Sequence, residues 1–188
     1  MRRRIHDWLQ HAWYGDGAGY RLLLPLSGLY WLIVSIRRWL YRAGLFKSTS
    51  PGVPVIVVGN LTAGGTGKTP TTIWLATSLA AHGFRPGIVS RGYGGSQSGS
   101  PLRVDAASDP AIVGDEPVLL AKRSGCPVAV DRDRVRAAAM LIEEGVDLII
   151  ADDGLQHLRL KRDYEICVVD GRRWFCLLYT SPSPRDRS

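Results

Sequence analysis

The sequence predicts an α/β fold: a parallel sheet with helices on both faces, entered through a phosphate-binding loop and preceded by an N-terminal membrane-associating helix. Three observations predict it. Short β-branched runs alternate with helical stretches from Val53 onward. A glycine-rich loop ending Gly67-Lys68-Thr69 joins the first run to the first helical stretch. Before both lies a basic, apolar segment with a different rhythm. The boundaries that follow are a membrane-associating segment over 1–50, an incomplete P-loop lobe over 51–175, and a tail over 176–188.

The first element is the apolar run from Leu22 to Ile36, flanked by Arg2, Arg3 and Arg4 on one side and Arg37, Arg38 and Arg42 on the other. It is shorter than the ~18–20 apolar residues of a spanning helix, and Pro25 and Gly28 interrupt it. Basic residues on both sides do not fit the one-sided excess of a spanning segment, and no small-residue cleavage site makes it a signal peptide. Tyr30, Trp31, Trp39 and Tyr41 are amphipathic aromatics suited to headgroup depth. The expectation is a helix dipping into one leaflet and held by arginine–lipid attraction; packing on the protein's own core is the alternative.

"VPVIVVGN" then reads as a strand buried on both faces. After the loop, "TTIWLATSLAAHG" places Ile73, Ala76, Leu79 and Ala80 at helical spacing, with Gly83 as the stop. "RPGIVS" is a strand ending at "RGYGG", and "SQSGSP" is a flexible loop by composition. "GDEPVLLAKR" opens a helix, "PVAVD" is a strand, "DRVRAAAMLIEEG" is a helix, and "DLIIADD" and "YEICVVD" are two more buried strands. The periodicity stops after "VVDGRRWF". The tail "CLLYTSPSPRDRS" resembles an in-frame translation of a sequencing adapter, so the protein is expected to continue differently past Phe175.

Bulk properties narrow the partners. The 188 residues suffice for one domain with a sizeable core. The net charge of +7, from 24 basic and 17 acidic side chains, favours anionic partners without choosing among nucleic acid, acidic lipid and phosphorylated substrates. Cys126, Cys167 and Cys176 match no zinc spacing and suit no disulfide framework; Cys126 and Cys167 are expected to be buried thiols in a reducing compartment.

The loop carries the chemistry. Thr62, Ala63, Gly64, Gly65, Thr66, Gly67, Lys68 and Thr69 follow a buried strand and open a helix, so backbone N–H groups and the helix N-terminus converge on phosphates. This is the order of a P-loop NTPase, although Thr62 stands where the usual pattern has its first glycine. Gly64, Gly65 and Gly67 let the backbone approach the phosphates closely. Lys68 is expected on the β- and γ-phosphates and the Thr69 hydroxyl on Mg²⁺. Asp152 and Asp153 end an apolar strand, where such proteins place a carboxylate toward the metal; strand alternation lets only one point squarely at it.

Other residues admit two readings. Asp115, in "GDEP", is either an N-cap or a base at the mouth of the site. Arg91 and Tyr93, in "SRGYGG", suit a phosphate and a sugar face or form a surface loop. Arg132, Arg134 and Arg136 are anion contacts or a charged helix face. Gln156 and His157 follow the acidic pair closely enough to reach the site.

Taken together, "VGNLTAGGTGKTP", "SRGYGG", "GDEP", "DRDR" and "DDGLQHLRLKRD", in this order after an apolar basic N-terminus, resemble the tetraacyldisaccharide 4′-kinase family, the lipid A 4′-kinases. The resemblance covers nearly everything up to Phe175. In that family the first glycine of the loop is also commonly replaced. The resemblance implies transfer of the γ-phosphate of ATP, with Mg²⁺, to the 4′-hydroxyl of a tetraacyldisaccharide 1-phosphate, the lipid A disaccharide precursor. It implies work at the cytoplasmic face of the inner membrane, on an anionic membrane surface and with no nucleic-acid partner. By motif, Lys68 and Thr69 would bind phosphates and metal, and Asp115 would be the base. Glu116, Asp152 and Asp153 would surround the metal, with Arg91, Tyr93 and Gln156 toward the substrate. The family's second lobe, which supplies a histidine assisting the base, is missing here, so residues 1–175 alone are expected to transfer phosphate poorly. The rival is a P-loop switch or partitioning ATPase without a lipid acceptor; a GTPase is disfavoured because no Asn-Lys-x-Asp motif occurs.

Overall fold

The computed structural model describes residues 20–60, 67–92 and 99–169. The chain divides into two units, one holding the N-terminal helix and the other holding all the strands.

The first unit contains α1, Tyr20–Arg42, a single helix of 23 residues. Pro25 and Gly28 do not break it. Pro25 sits in the second turn, where the missing N–H removes one intrahelical bond and the chain continues. Gly44, at φ 73°, ends it, with Leu45 N donating to Leu40 O at 3.0 Å. Tyr41 and Phe46 stack edge to face, their centroids 5.3 Å apart. Among the described residues no helix is long and apolar enough to cross a membrane.

The second unit is a six-stranded sheet. Its strands are β1 (Val55–Gly59), β2 (Pro86–Ser90), β3 (Leu102–Val104), β4 (Val128–Val130), β5 (Leu148–Asp152) and β6 (Tyr164–Cys167). The spatial order is β3-β4-β2-β5-β1-β6. All neighbours are parallel except β3 and β4. The antiparallel β3 departs from the expected all-parallel sheet. Its three residues are too short for any alternation to register, and they follow the serine- and glycine-rich stretch read as loop. The helices are α2 (Lys68–Ala81), the single turn α3 (Pro110–Val113), α4 (Asp115–Ser124) and α5 (Arg134–Glu143).

Strand alternation divides the core into two layers. Val55, Val57, Val89, Ala129, Ile149 and Ala151 pack with Ala137, Ala138 and Leu141 of α5. Val58, Ile88, Val128, Val130, Leu148 and Ile150 pack with Ala76 of α2 and Leu120 of α4. The helices therefore cover both faces, as expected. The central β1, β2 and β5 are apolar up to their C-terminal ends, where Ser90 and Asp152 stand, because both faces are covered.

Two expectations fail at the sheet's edge. β6 is largely exposed rather than buried, because β1 is its pairing partner and no helix covers it among the described residues. Cys167 on that strand is consequently exposed, and Cys126 is only partly buried; both are free thiols.

Register places the functional edge. Val58 stands opposite Asp152 and Val89 opposite Ala151, so β1, β5 and β2 end together. Gly87 secures that alignment: a Cβ there would lie 2.9 Å from Leu141 Cδ1 and 2.9 Å from Val146 Cγ1. The Gly87→Ala variant should lose about 1–3 kcal/mol by overpacking α5 against β2. A denaturant titration at unchanged m-value checks this.

Candidate nucleotide and metal site

The site grows from the shared C-terminal edge of β1, β5 and β2, the usual ligand edge of an open α/β sheet. Gly67 takes φ 86°, a left-handed geometry that favours glycine, and turns the chain into α2. Pro70 is tolerated because the first turn of a helix has free N–H groups to spare. Lys68 and Thr69 therefore enter the site on the first turn of α2. Thr62, Ala63, Gly64, Gly65 and Thr66 of the phosphate loop lie outside the described residues, as do Tyr93 and the tail 176–188.

The structure brings five of the sequence-predicted residues together. Lys68 Nζ donates to Asn60 Oδ1 at 2.9 Å and pairs with Asp153 Oδ1 at 3.1 Å. Thr69 Oγ1 donates to Glu116 Oε1 at 2.5 Å, linking α2 to α4. Asp152, wholly buried at the tip of β5, accepts from Thr72 Oγ1 at 3.0 Å through Oδ1. Its Oδ2 is buried with no hydrogen-bond partner among the described residues. Asp153 takes φ 50°, the one non-glycine residue at positive φ among those described. Strain of that kind persists only where surrounding contacts impose it. Here Arg134 Nη2 donates to the carbonyls of Asp152 at 3.0 Å and Asp153 at 2.9 Å.

The electrostatics follow from burial. The Asp152 carboxyl is pushed from 3.8 to about 6, first by burial and then by the Glu116 charge; the Thr72 hydrogen bond and Lys68 act against the rise. Burial lowers the Arg134 pKa, and Asp153 and Asp152 partly offset this. Arg91, exposed at the end of β2, adds its own repulsion on Arg134 and so stands near the cluster.

Other assignments change. Asp115 is not the N-cap: Gly114, at φ 92°, occupies that position, and Asp115 is the first helical residue with its side chain exposed. That leaves its carboxylate uncommitted to capping, one residue before Glu116. Arg134 is neither an anion contact nor part of a solvated face. It is buried and holds backbone. Arg136 instead pairs with Asp131 at 2.8 Å. Gln156 is exposed in the turn after Asp153, and no described contact ties it to the cluster. His157 is half-buried, with its pKa lowered by burial and then by the Arg134 charge. Sequence reasoning missed Asn60, Thr72 and the clamp made by Arg134. Thr72 alone left a legible trace, since it follows Thr69 by one helical turn.

Magnesium fits this donor set. Thr69, Glu116, Asp152 and Asp153 offer hard oxygens, and the orphaned Asp152 Oδ2 is a buried acceptor without a donor. Among the described residues, no three His, Cys, Asp or Glu side chains close into a cation cage.

The raised Asp152 pKa has a consequence for stability. Folding disfavours the charged carboxylate, so the native state holds its proton more tightly than the unfolded chain. The penalty is absent below 3.8, grows as pH rises, and is complete above about 6. The distance from 3.8 to about 6, at ~1.36 kcal/mol per pH unit, sets it at about 3 kcal/mol. In metal-free buffer the Asp152→Asn variant should therefore be more stable than the parent at pH 7 and indistinguishable near pH 3.5. Denaturation midpoints across that range check the sign.

Comparison with known proteins identifies the family. The family model for tetraacyldisaccharide-1-P 4′-kinase matches residues 20–183. A tetraacyldisaccharide 4′-kinase of Nitrosococcus oceani is 54% identical over 164 residues, covering 87% of this chain and 48% of that protein. The Aeromonas salmonicida enzyme of the same name is 53% identical over 178 residues, covering 93% and 54%. The crystal structure of "apo" form LpxK from Aquifex aeolicus in complex with ATP superposes with a TM-score of 0.72 at 38% identity. It covers 78% of this chain and 48% of that one. The chain thus spans about half the length of the curated relatives it matches. With the family model covering most of its length, the chain belongs to the tetraacyldisaccharide-1-phosphate 4′-kinase family.

Proposed function

We propose that this chain carries the nucleotide-binding half of a P-loop kinase of lipid A biosynthesis. The enzyme would move the γ-phosphate of ATP to the 4′-hydroxyl of a tetraacyldisaccharide 1-phosphate. The observation that carries this reading is the meeting of Lys68, Thr69, Glu116, Asp152 and Asp153 at the ends of β1 and β5. The complex of the Aquifex aeolicus protein with ATP and the names of the relatives support the same nucleotide and acceptor.

Phosphoryl transfer asks mainly for positioning and charge neutralisation. Lys68 rests between Asn60 and Asp153, from where its ammonium would swing to the β- and γ-phosphates. The amides of the Thr62–Thr66 loop and the α2 N-terminus would cradle the phosphate oxygens. Thr69, Glu116, Asp152 and Asp153 would hold Mg²⁺, which supplies charge neutralisation at the phosphates. Asp115, exposed beside Glu116, would take the proton of the 4′-hydroxyl as the new O–P bond forms and the bond to ADP breaks. Arg91, Tyr93 and Gln156 would face the acceptor's sugar and phosphate.

The acceptor's acyl chains give α1 its role. Leu29, Tyr30, Trp31, Leu32, Ile33, Ile36 and Trp39 are all exposed, Trp31 at 70%. A helix this apolar around its girth needs cover. An anionic leaflet supplies it, with arginines at the headgroups and aromatics at the interface. On this reading the protein would work at the cytoplasmic face of the bacterial inner membrane.

The test of function follows labelled phosphate. A chimera joining residues 20–169 to the remaining part of the Nitrosococcus oceani relative should transfer label from γ-labelled ATP to the lipid fraction. Lys68→Ala and Asp115→Ala should each lower its kcat by about a hundredfold or more. Label released only as inorganic phosphate would favour the switch ATPase, and near-normal turnover of Asp115→Ala would remove the base assignment. Separately, the chain should sediment with anionic vesicles, less so at high salt. Changing Trp31 and Trp39 together to serine should abolish most of that binding. Equal binding to neutral and anionic vesicles would exclude the electrostatic part.

A further inference from the structure

Four threonines on α2 divide into two kinds. Thr71 and Thr77 return their hydroxyl protons to backbone carbonyls one turn back, Gly67 O at 2.8 Å and Ile73 O at 3.0 Å. That is the ordinary behaviour of a helical threonine. Thr69 and Thr72, three residues apart on one face, instead donate to carboxylates: Glu116 Oε1 and Asp152 Oδ1. Thr72 is wholly buried, as is Asp152. A threonine hydroxyl has one proton, and this one is committed to a single oxygen of a single acid.

From this geometry we infer that Thr72 is a positioning residue for the metal. By occupying Asp152 Oδ1, it fixes the carboxylate's rotation and leaves Oδ2 as the oxygen offered to Mg²⁺. The free oxygen is the one with no partner among the described residues. The backbone beneath is held independently, because Arg134 binds the carbonyls of Asp152 and Asp153. The side chain has no such second anchor: without Thr72, the described residues give Oδ1 no donor and the carboxylate is free to turn. Partners that orient a metal ligand in this way commonly contribute about 10–100-fold in metal affinity. The inference rests on the proposed Mg²⁺–nucleotide reading of the site and adds to it a residue outside the glycine-rich motif.

The experiment measures binding of a fluorescent ATP analogue to the full chain across a Mg²⁺ titration, and in EDTA, for the parent, Thr72→Val, Thr72→Ser and Asp152→Asn. Thermal melts accompany each variant. Thr72→Val keeps the shape and removes the hydroxyl. It should raise the Mg²⁺ concentration for half-maximal enhancement about tenfold, approaching Asp152→Asn, while analogue affinity in EDTA stays at the parent value. Thr72→Ser should restore most of the Mg²⁺ response. A parent-like Mg²⁺ response in Thr72→Val overturns the inference and leaves the nucleotide reading intact. So does an equal loss in Thr72→Val and Thr72→Ser that follows their melting temperatures. A parent chain that binds no analogue at any Mg²⁺ concentration overturns the nucleotide reading, and this inference with it.

Discussion

The structure turns on one buried carboxylate. Asp152 ends the central strand β5 with no exposed surface, and one of its oxygens has no partner among the described residues. A fold does not usually leave an ionisable group in that state, because desolvating a charge is costly unless it is paired. The neighbours show the cost being managed rather than removed. Thr72 satisfies one oxygen, Lys68 lends a compensating charge from nearby, and Glu116 and Asp153 work against both. The second unit is otherwise built of apolar layers on both sheet faces, and its acidic end is where a divalent cation would resolve the imbalance. The same neutralisation would serve the charges of a triphosphate.

The backbone under that carboxylate is also specified. Asp153 sits at φ 50°, and the Arg134 guanidinium bridges the two carbonyls on either side of the turn. Arg134 opens α5, whose N-cap Asp133 is in turn paired with Arg159 at 2.7 Å. The acidic turn is thus tied to the start of one helix and, through Thr72, to the first turns of another. Because α2 and α5 lie on opposite faces of the sheet, the turn is braced from both sides. Such bracing suits phosphoryl transfer, where small misplacements of charged groups are expensive.

The two units present different surfaces. The sheet unit largely follows the rules of water: most apolar residues inside, Trp74 and Phe84 excepted, and charged pairs such as Arg103–Glu144 outside. Helix α1 breaks those rules with a run of exposed leucine, isoleucine, tyrosine and tryptophan side chains. An acceptor that carries acyl chains would explain why one chain holds both kinds of surface.

Most of the scaffold and the chemistry of the loop are legible in the order of the residues alone. Continuous β-branched runs specify buried parallel strands because sheets covered on both faces tolerate little else. Gly67-Lys68-Thr69 between a strand and a helix is a local pattern, readable because its function depends on adjacency in the chain. Short or edge elements were less legible. β3 has three residues, and β6 carries a buried strand's composition on an exposed edge, where burial depends on neighbours rather than on the residues themselves. Only the tertiary structure decided the rest of the site. Asp115 lost its capping role because α4 begins at Asp115 itself, which leaves Gly114 at the N-cap position with no side-chain cap. Thr72 meets Asp152 across a separation of 80 residues, and Arg134 reaches the acidic turn from 18 residues upstream. Contacts of that range leave no periodicity in the chain. They exist only once parallel strands end in register and bring the first turns of α2 and α5 to the same edge.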